Sequence, residues 1–197
     1  LEIAVDEILV LMGPSGAGKS TLLNVMGHPK SDMGGFEIDG ETEYLGDPMG
    51  PDHRPILIGQ SLGLISSTLF EYLATHDPMR SELTRRQIED RYRQLLEEFG
   101  LGELGERLGE HLVSFDRYER ILLTILRTTL QEPGLVCIDE PMAEMDQPEA
   151  ECVLELLEQM RQSGFPLMIV SHHQKRARAV GDRIALLAGG QLQEVAP

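Results

Sequence analysis

The segment Gly13-Pro14-Ser15-Gly16-Ala17-Gly18-Lys19-Ser20-Thr21 constrains the fold more than any other part of the chain. It has the spacing G-x-x-x-x-G-K-[ST] and follows a short apolar run, Ile8–Met12, that reads as a buried strand. A helix is expected from Lys19 to about Met26, with Gly27 past its end and Pro29 blocking continuation. The glycines let successive backbone N–H groups turn inward around an anion. The helix N-terminus adds its partial positive charge.

In that cradle Lys19 can reach the β- and γ-phosphates of a nucleotide, and Ser20 can hold Mg2+ through its hydroxyl. The plainer reading, a glycine-rich turn with a solvated lysine, is weighed down by the strand before and the helix after. A complementary half lies downstream, where the apolar strand Leu135–Ile138 ends in Asp139 and Glu140. A strand-end aspartate suits the Mg2+ shell. Glu140 points differently and can orient or deprotonate an attacking water. Acidic turns are common in a chain with 33 Asp and Glu against 17 Lys and Arg. Pairing with the glycine loop lifts these two carboxylates above that background.

The resulting net charge of −16 argues against non-specific binding to nucleic-acid backbones. The 197 residues suffice for one domain, with or without a small subdomain, and for a core that needs no disulfide or structural metal. Cys137 and Cys152 form neither a framework nor a CxxC pair, which points to a reducing compartment. No apolar run approaches the ~18–20 residues of a membrane span, and no signal peptide is expected. The chain starts at Leu1 rather than Met, so part of the N-terminus is expected upstream.

Gly35–Gly40 alternates and reads as a strand near a turn, and Pro55–Gly59 is a further short apolar run. From about residue 61 to 110 the pattern turns helical and charged. Ile88, Tyr92, Leu95, Leu96 and Phe99 share one helix face. Thr84 and Gln87 form a capping box, Leu83 and Ile88 a hydrophobic staple, and Gly100 a stop. The last third alternates again. Asp146 caps a helix with Val153, Leu156, Leu157 and Met160 inside. Pro166–Val170, Ile184–Ala188 and Gln191–Val195 are strands, and the run Lys175-Arg176-Ala177-Arg178 is a solvated helix face. Strands alternating with helices predict a mostly parallel sheet.

Over almost its whole length the chain resembles the ABC ATPases, the nucleotide-binding domains of ABC transporters. Residues 13–24 look like that family's Walker A segment, and Gly35–Gly40 resembles its G-x-x-x-x-D-G turn. Gln60 is placed like the Q-loop glutamine, which senses the γ-phosphate and Mg2+. Thr68–Leu73 resembles the opening of the family's helical subdomain. Asp139-Glu140-Pro141 matches the Walker B aspartate, the catalytic glutamate and the following proline. Ala143–Asp146 looks like the D-loop, and His172 resembles the switch histidine. The resemblance implies a P-loop NTPase fold with a mostly parallel central sheet, an antiparallel β element and an inserted α-helical subdomain. It places the core at 1–60 and 111–197 and the subdomain at about 61–110. It implies ATP and Mg2+ as ligands, with Gly13 to Thr21 on the nucleotide and Ser20, Gln60 and Asp139 on the metal. Lys19, Gln60, Glu140 and His172 would serve hydrolysis. The implied partners are a transmembrane permease subunit and a second ATPase subunit, with no nucleic acid. The implied location is the cytoplasmic face of the cell membrane, reached through the permease.

The family signature Leu-Ser-Gly-Gly-Gln is absent. Aligned on Arg127 and Pro133, its place is taken by Phe115-Asp116-Arg117-Tyr118-Glu119, followed by Arg120. A looser alignment uses Val113-Ser114 and still loses both glycines. In the family this segment binds the γ-phosphate held by the opposite subunit. Phe115 and Tyr118 are expected to block close backbone approach, and Asp116 to repel the anion unless Arg117 offsets it. A heterodimer with a subunit carrying an intact signature follows, with a modified homodimer using Arg117 or Ser114 as the alternative. The family's adenine-stacking aromatic lies upstream of its first strand, where only Leu1–Glu7 stand here. Beside the transporter subunit stand two other readings: a soluble ABC ATPase, and a nucleotide-binding regulatory subunit with little turnover.

Overall fold

The computed structural model describes residues 1–27, 39, 43–44, 47–48, 55–59, 67–131 and 133–195. Pro29, Gln60 and, apart from Asp39, the expected Gly35–Gly40 strand lie outside the described residues.

The chain forms two compact units. The first comprises residues 1–60, 133–143 and 160–197, and the second 61–132 and 144–159. In the first unit β1 (Ile8–Met12) leads into α1 (Lys19–Gly27). Then come the two-residue strands β2 (Glu43–Tyr44) and β3 (Asp47–Pro48), which pair antiparallel, and β4 (Ile56–Ile58). After the helical unit follow β5 (Val136–Asp139), β6 (Leu167–Val170), α7 (Gln174–Val180), β7 (Arg183–Ala188) and β8 (Gln191–Val195). The six-stranded sheet runs β4-β5-β6-β1-β7-β8. It is parallel except for the β7–β8 hairpin, where Ile184 faces Val195. The parallel sheet and the antiparallel element expected from the sequence are both present.

The centre of the sheet explains itself. Ile8, Leu9, Val10 and Leu11 of β1, and all four residues of β6, are fully buried. Continuous apolar runs of this kind are what a strand covered on both faces needs, and each such side chain stabilises by roughly 1.5–3 kcal/mol. Leu9, Leu11, Cys137, Met168, Val170 and Ala185 pack with Leu23 of α1 into one core layer. That layer fixes the ends of β1, β5 and β6, where the candidate site lies.

The second unit is helical: α2 (Leu69–Ala74), α3 (Arg85–Glu98), α4 (Gly102–Gly105) and α5 (Arg117–Thr129). The predicted Thr84–Gln87 capping box opens α3, which buries Ile88, Tyr92 and Leu96. Gly100 follows at φ +72, the left-handed conformation that ends helices. Helix α6 (Gln147–Gln162) begins behind Asp146, whose Oδ1 accepts the Glu149 N–H at 3.0 Å. Its predicted inner face is buried, with Val153, Leu156, Leu157 and Met160 at most 2% exposed.

Candidate nucleotide-binding site

The loop between β1 and α1 depends on its glycines. A Cβ at Gly13 would stand 2.3 Å from the Leu187 carbonyl oxygen, so only glycine fits there. Gly16 and Gly18 sit at φ +78 and +97, a region that side chains disfavour. Gly13, Pro14, Ser15, Gly16, Gly18, Lys19, Ser20 and Thr21 line a cavity of about 830 Å3 within the first unit. Ala17 instead packs against the core. Lys19 Nζ donates to the carbonyls of Gly13 at 2.9 Å and Pro14 at 3.0 Å, which holds it over the loop.

The opposite wall is Asp139, Glu140, Ala143 and His172. Ser20 Oγ donates to Asp139 Oδ2 at 3.2 Å, across 119 residues of sequence. Glu140 adopts φ +54, unusual for a residue with a side chain. Its N–H donates to Val170 O at 3.0 Å, and its carbonyl accepts the Ala143 N–H at 3.1 Å in a tight turn. These bonds aim its carboxylate at His172, with Oε1 2.6 Å from Nδ1. The Glu140 side chain is 11% exposed and that of His172 is 59% exposed, so the carboxylate is sheltered while the ring reaches outward. The adjacent ring of His173 lies 4.0 Å from that of His172. Behind the wall, burial pushes the Cys137 thiol up to about 12, so it stays protonated.

Of the sequence-derived candidates, Gly13 to Thr21, Asp139, Glu140 and His172 thus meet around one cavity, Ala17 at its back. Gln60 lies outside the described residues. Arg176 corrects the solvated-face reading. It is half-buried, and its Nη1 donates to Met142 O at 2.5 Å, two residues beyond Glu140. Nothing in a basic helical run identifies a carbonyl partner 34 residues away.

The segment at Phe115–Glu119 also differs from expectation. Phe115 does not obstruct anything at the surface: it is 2% exposed, with the Arg107 guanidinium 3.9 Å from its ring centre. Its apolar ring anchors the chain just before α5. Asp116 is spent on the helix itself. Its Oδ1 accepts the Glu119 N–H at 2.8 Å, while Glu119 Oε2 accepts the Asp116 N–H at 2.9 Å. This capping box was readable as D-x-x-E, the pattern used at Thr84. Arg117 does not offset Asp116, since its guanidinium pairs with Glu144. Burial and contact with Cys152 push the Tyr118 hydroxyl far up.

The family model described as ABC transporter matches residues 1–143. The chain belongs to the ABC transporter family. It is 32% identical, over 99% of its length and 82% of the relative's, to the thiamine import ATP-binding protein ThiQ of Vibrio parahaemolyticus. It is 29% identical, over 98% of its length and 80% of the relative's, to the lipopolysaccharide export system ATP-binding protein LptB of Escherichia coli K12. Against the maltose/maltodextrin import ATP-binding protein MalK of Vibrio vulnificus the identity is 30% over 99% of the chain. There it spans about half of the relative, 52%. ATP binding is a property of this family, and the six-stranded α/β sheet with its loop after β1 is the fold that carries it.

Proposed function

We propose that the chain is the ATP-binding and hydrolysing subunit of an ABC transporter, working as a single ABC ATPase domain with a site-bearing core and a helical subdomain. The observation that carries this reading is the convergence of Lys19, Ser20, Asp139, Glu140 and His172 on one cavity behind an anion-cradling loop. Lys19 and the loop N–H groups hold the phosphates. Ser20 and Asp139, with Gln60, hold Mg2+. The hydroxyl and carboxylate oxygens already 3.2 Å apart are the hard donors such a cation takes. An Mg2+ ion held by these oxygens would supply positive charge against the phosphate oxygens. Glu140 accepts a proton from the attacking water. His172, hydrogen-bonded to it, fixes the direction of that carboxylate and steadies the γ-phosphate.

No helix among the described residues is long and apolar enough to cross a membrane. In this reading the transport path would belong to a separate transmembrane permease subunit, and the chain would reach the inner face of the membrane through it. Mg2+-dependent ATP hydrolysis by the purified chain, measured against Glu140→Gln, tests this reading. ATP binding without turnover, even with all partners present, rejects it.

The capped end of α5 favours a heterodimer over a homodimer. Two carboxylates, Asp116 and Glu119, stand where the family's signature meets the opposite subunit's γ-phosphate. A partner carrying an intact signature would complete the site formed by this chain. A dimer of this chain that closes on ATP with normal turnover would sink that arrangement.

A further inference from the structure

Resting on the reading of Glu140 and His172 as the hydrolytic pair, we propose that Arg176 is a positioning residue that keeps the Glu140 turn in register with His172. Glu140 is held at φ +54. A non-glycine residue keeps that conformation only where its surroundings over-determine it. Two of the constraints come from the sheet and the turn: the bond to Val170 O and the bond from the Ala143 N–H. They fix the start of the turn and its span, and leave the Met142 carbonyl between them to be held by something else. Arg176 supplies that hold with a charge-assisted bond of 2.5 Å.

The connection closes a ring. Glu140 touches His172 through side chains at 2.6 Å. The chain runs from His172 into α7, Arg176 reaches back to Met142, and two residues return to Glu140. The root of α7 is fixed independently: Ser171 is 3% exposed, its N–H donates to Leu11 O at 3.2 Å, and its Oγ accepts the His173 N–H at 3.1 Å. With one side of the ring anchored to β1, Arg176 transmits that anchoring to the turn bearing Glu140. Without it, the turn that carries the Glu140 carboxylate loses its tie to the helix that follows His172.

The test is a histidine-ring 1H–15N spectrum of the full chain, with His172→Gln to assign the ring, beside steady-state ATP hydrolysis. Arg176→Ala is expected to move the His172 Nδ1 resonance in the direction that Glu140→Gln moves it. It should also lower kcat about tenfold while KM for ATP stays within about twofold. Arg176→Lys keeps a donor and should recover most of both effects, and it carries the test if Arg176→Ala does not fold. An unmoved Nδ1 resonance overturns the proposal whether or not the chain hydrolyses ATP. A moved resonance beside a wild type that does not hydrolyse ATP even with its partner subunits present upholds the positioning role and rejects the catalytic reading beneath it.

Discussion

Ser20 and Asp139 meet through a 3.2 Å hydrogen bond that joins the start of α1 to the end of β5. Neither residue is near the other in sequence, and each is placed by a different strand of the same buried sheet. The site is therefore a property of the sheet's core, and side chains around it can be changed one at a time without unfolding it.

Glu140→Gln should lower Mg2+-dependent ATP hydrolysis by at least about a hundredfold, the share typical of a positioned general base. The amide keeps the size of the carboxylate but cannot take the proton. Affinity for ATP, measured by equilibrium titration, should stay within about threefold, because the phosphate-holding groups are untouched. Parallel loss of binding and turnover would place Glu140 in ground-state binding instead.

Lys19→Ala should weaken ATP binding by about tenfold or more, the loss of one charge-assisted bond. The melting temperature without nucleotide should barely change, since the bonds lost are those to the Gly13 and Pro14 carbonyls at the loop surface. The stabilisation by saturating ATP should shrink with the affinity. An undiminished ATP-induced rise in melting temperature would contradict the role given to Lys19.

Asp116→Ala removes one half of the box that starts α5 and should cost about 1 kcal/mol, or roughly 2–4 °C in melting temperature. Asp116→Asn or Asp116→Ser should recover most of it, because either can accept the Glu119 N–H. If alanine is as stable as wild type, the box contributes nothing and Phe115 alone sets the helix start.

Thiol labelling at pH 8 should modify Cys152, which is exposed, and spare Cys137, which is buried, until denaturant is added. The linkage has a definite sign. Folding raises the Cys137 thiol from 9.0 to about 12, so the folded state holds its proton where the unfolded state releases it. The contribution is complete below pH 9 and is lost as pH rises from there towards 12. Denaturant midpoints at pH 8 and 10.5 should show that decline, and Cys137→Ala should flatten it. Equal slopes in both proteins would remove Cys137 as its source.

Much of this molecule is legible in its residues. The central strands are short runs of buried apolar side chains, the loop after β1 is marked by glycines of which Gly13 leaves no room for a Cβ, and the carboxylates close a strand whose direction the sheet enforces. The box at Thr84 is local chemistry and is read as easily as it folds. What escaped was the direction of single side chains. Phe115 is equally compatible with a surface obstruction and with an anchor, and only the guanidinium of Arg107 above its ring decides. The D-x-x-E spacing at Asp116 carries a charge and a cap at once, and residue types alone do not say which of the two the fold uses. Arg176 shows the harder limit. A side chain bonding to a backbone carbonyl leaves no mark on the identity of its partner, so no pattern of residue types announces it.

The buried ring, the oxygen-bearing cap and the acidic third residue at 115, 116 and 119 match, part for part, what Leu, Ser and Gln can do in Leu-Ser-Gly-Gly-Gln: an anchor, a cap and its reciprocal acceptor. By that likeness the anchor and the cap are kept, while the departure lies in the charge of Asp116 and Glu119 and in the side chains of Arg117 and Tyr118. Glycines at these last two places would cost about 1 kcal/mol each in helix propensity and leave the anchor and the box in place. Two substitutions would thus uncover the backbone of a helix start that stays capped, and the chain around it need not be rebuilt.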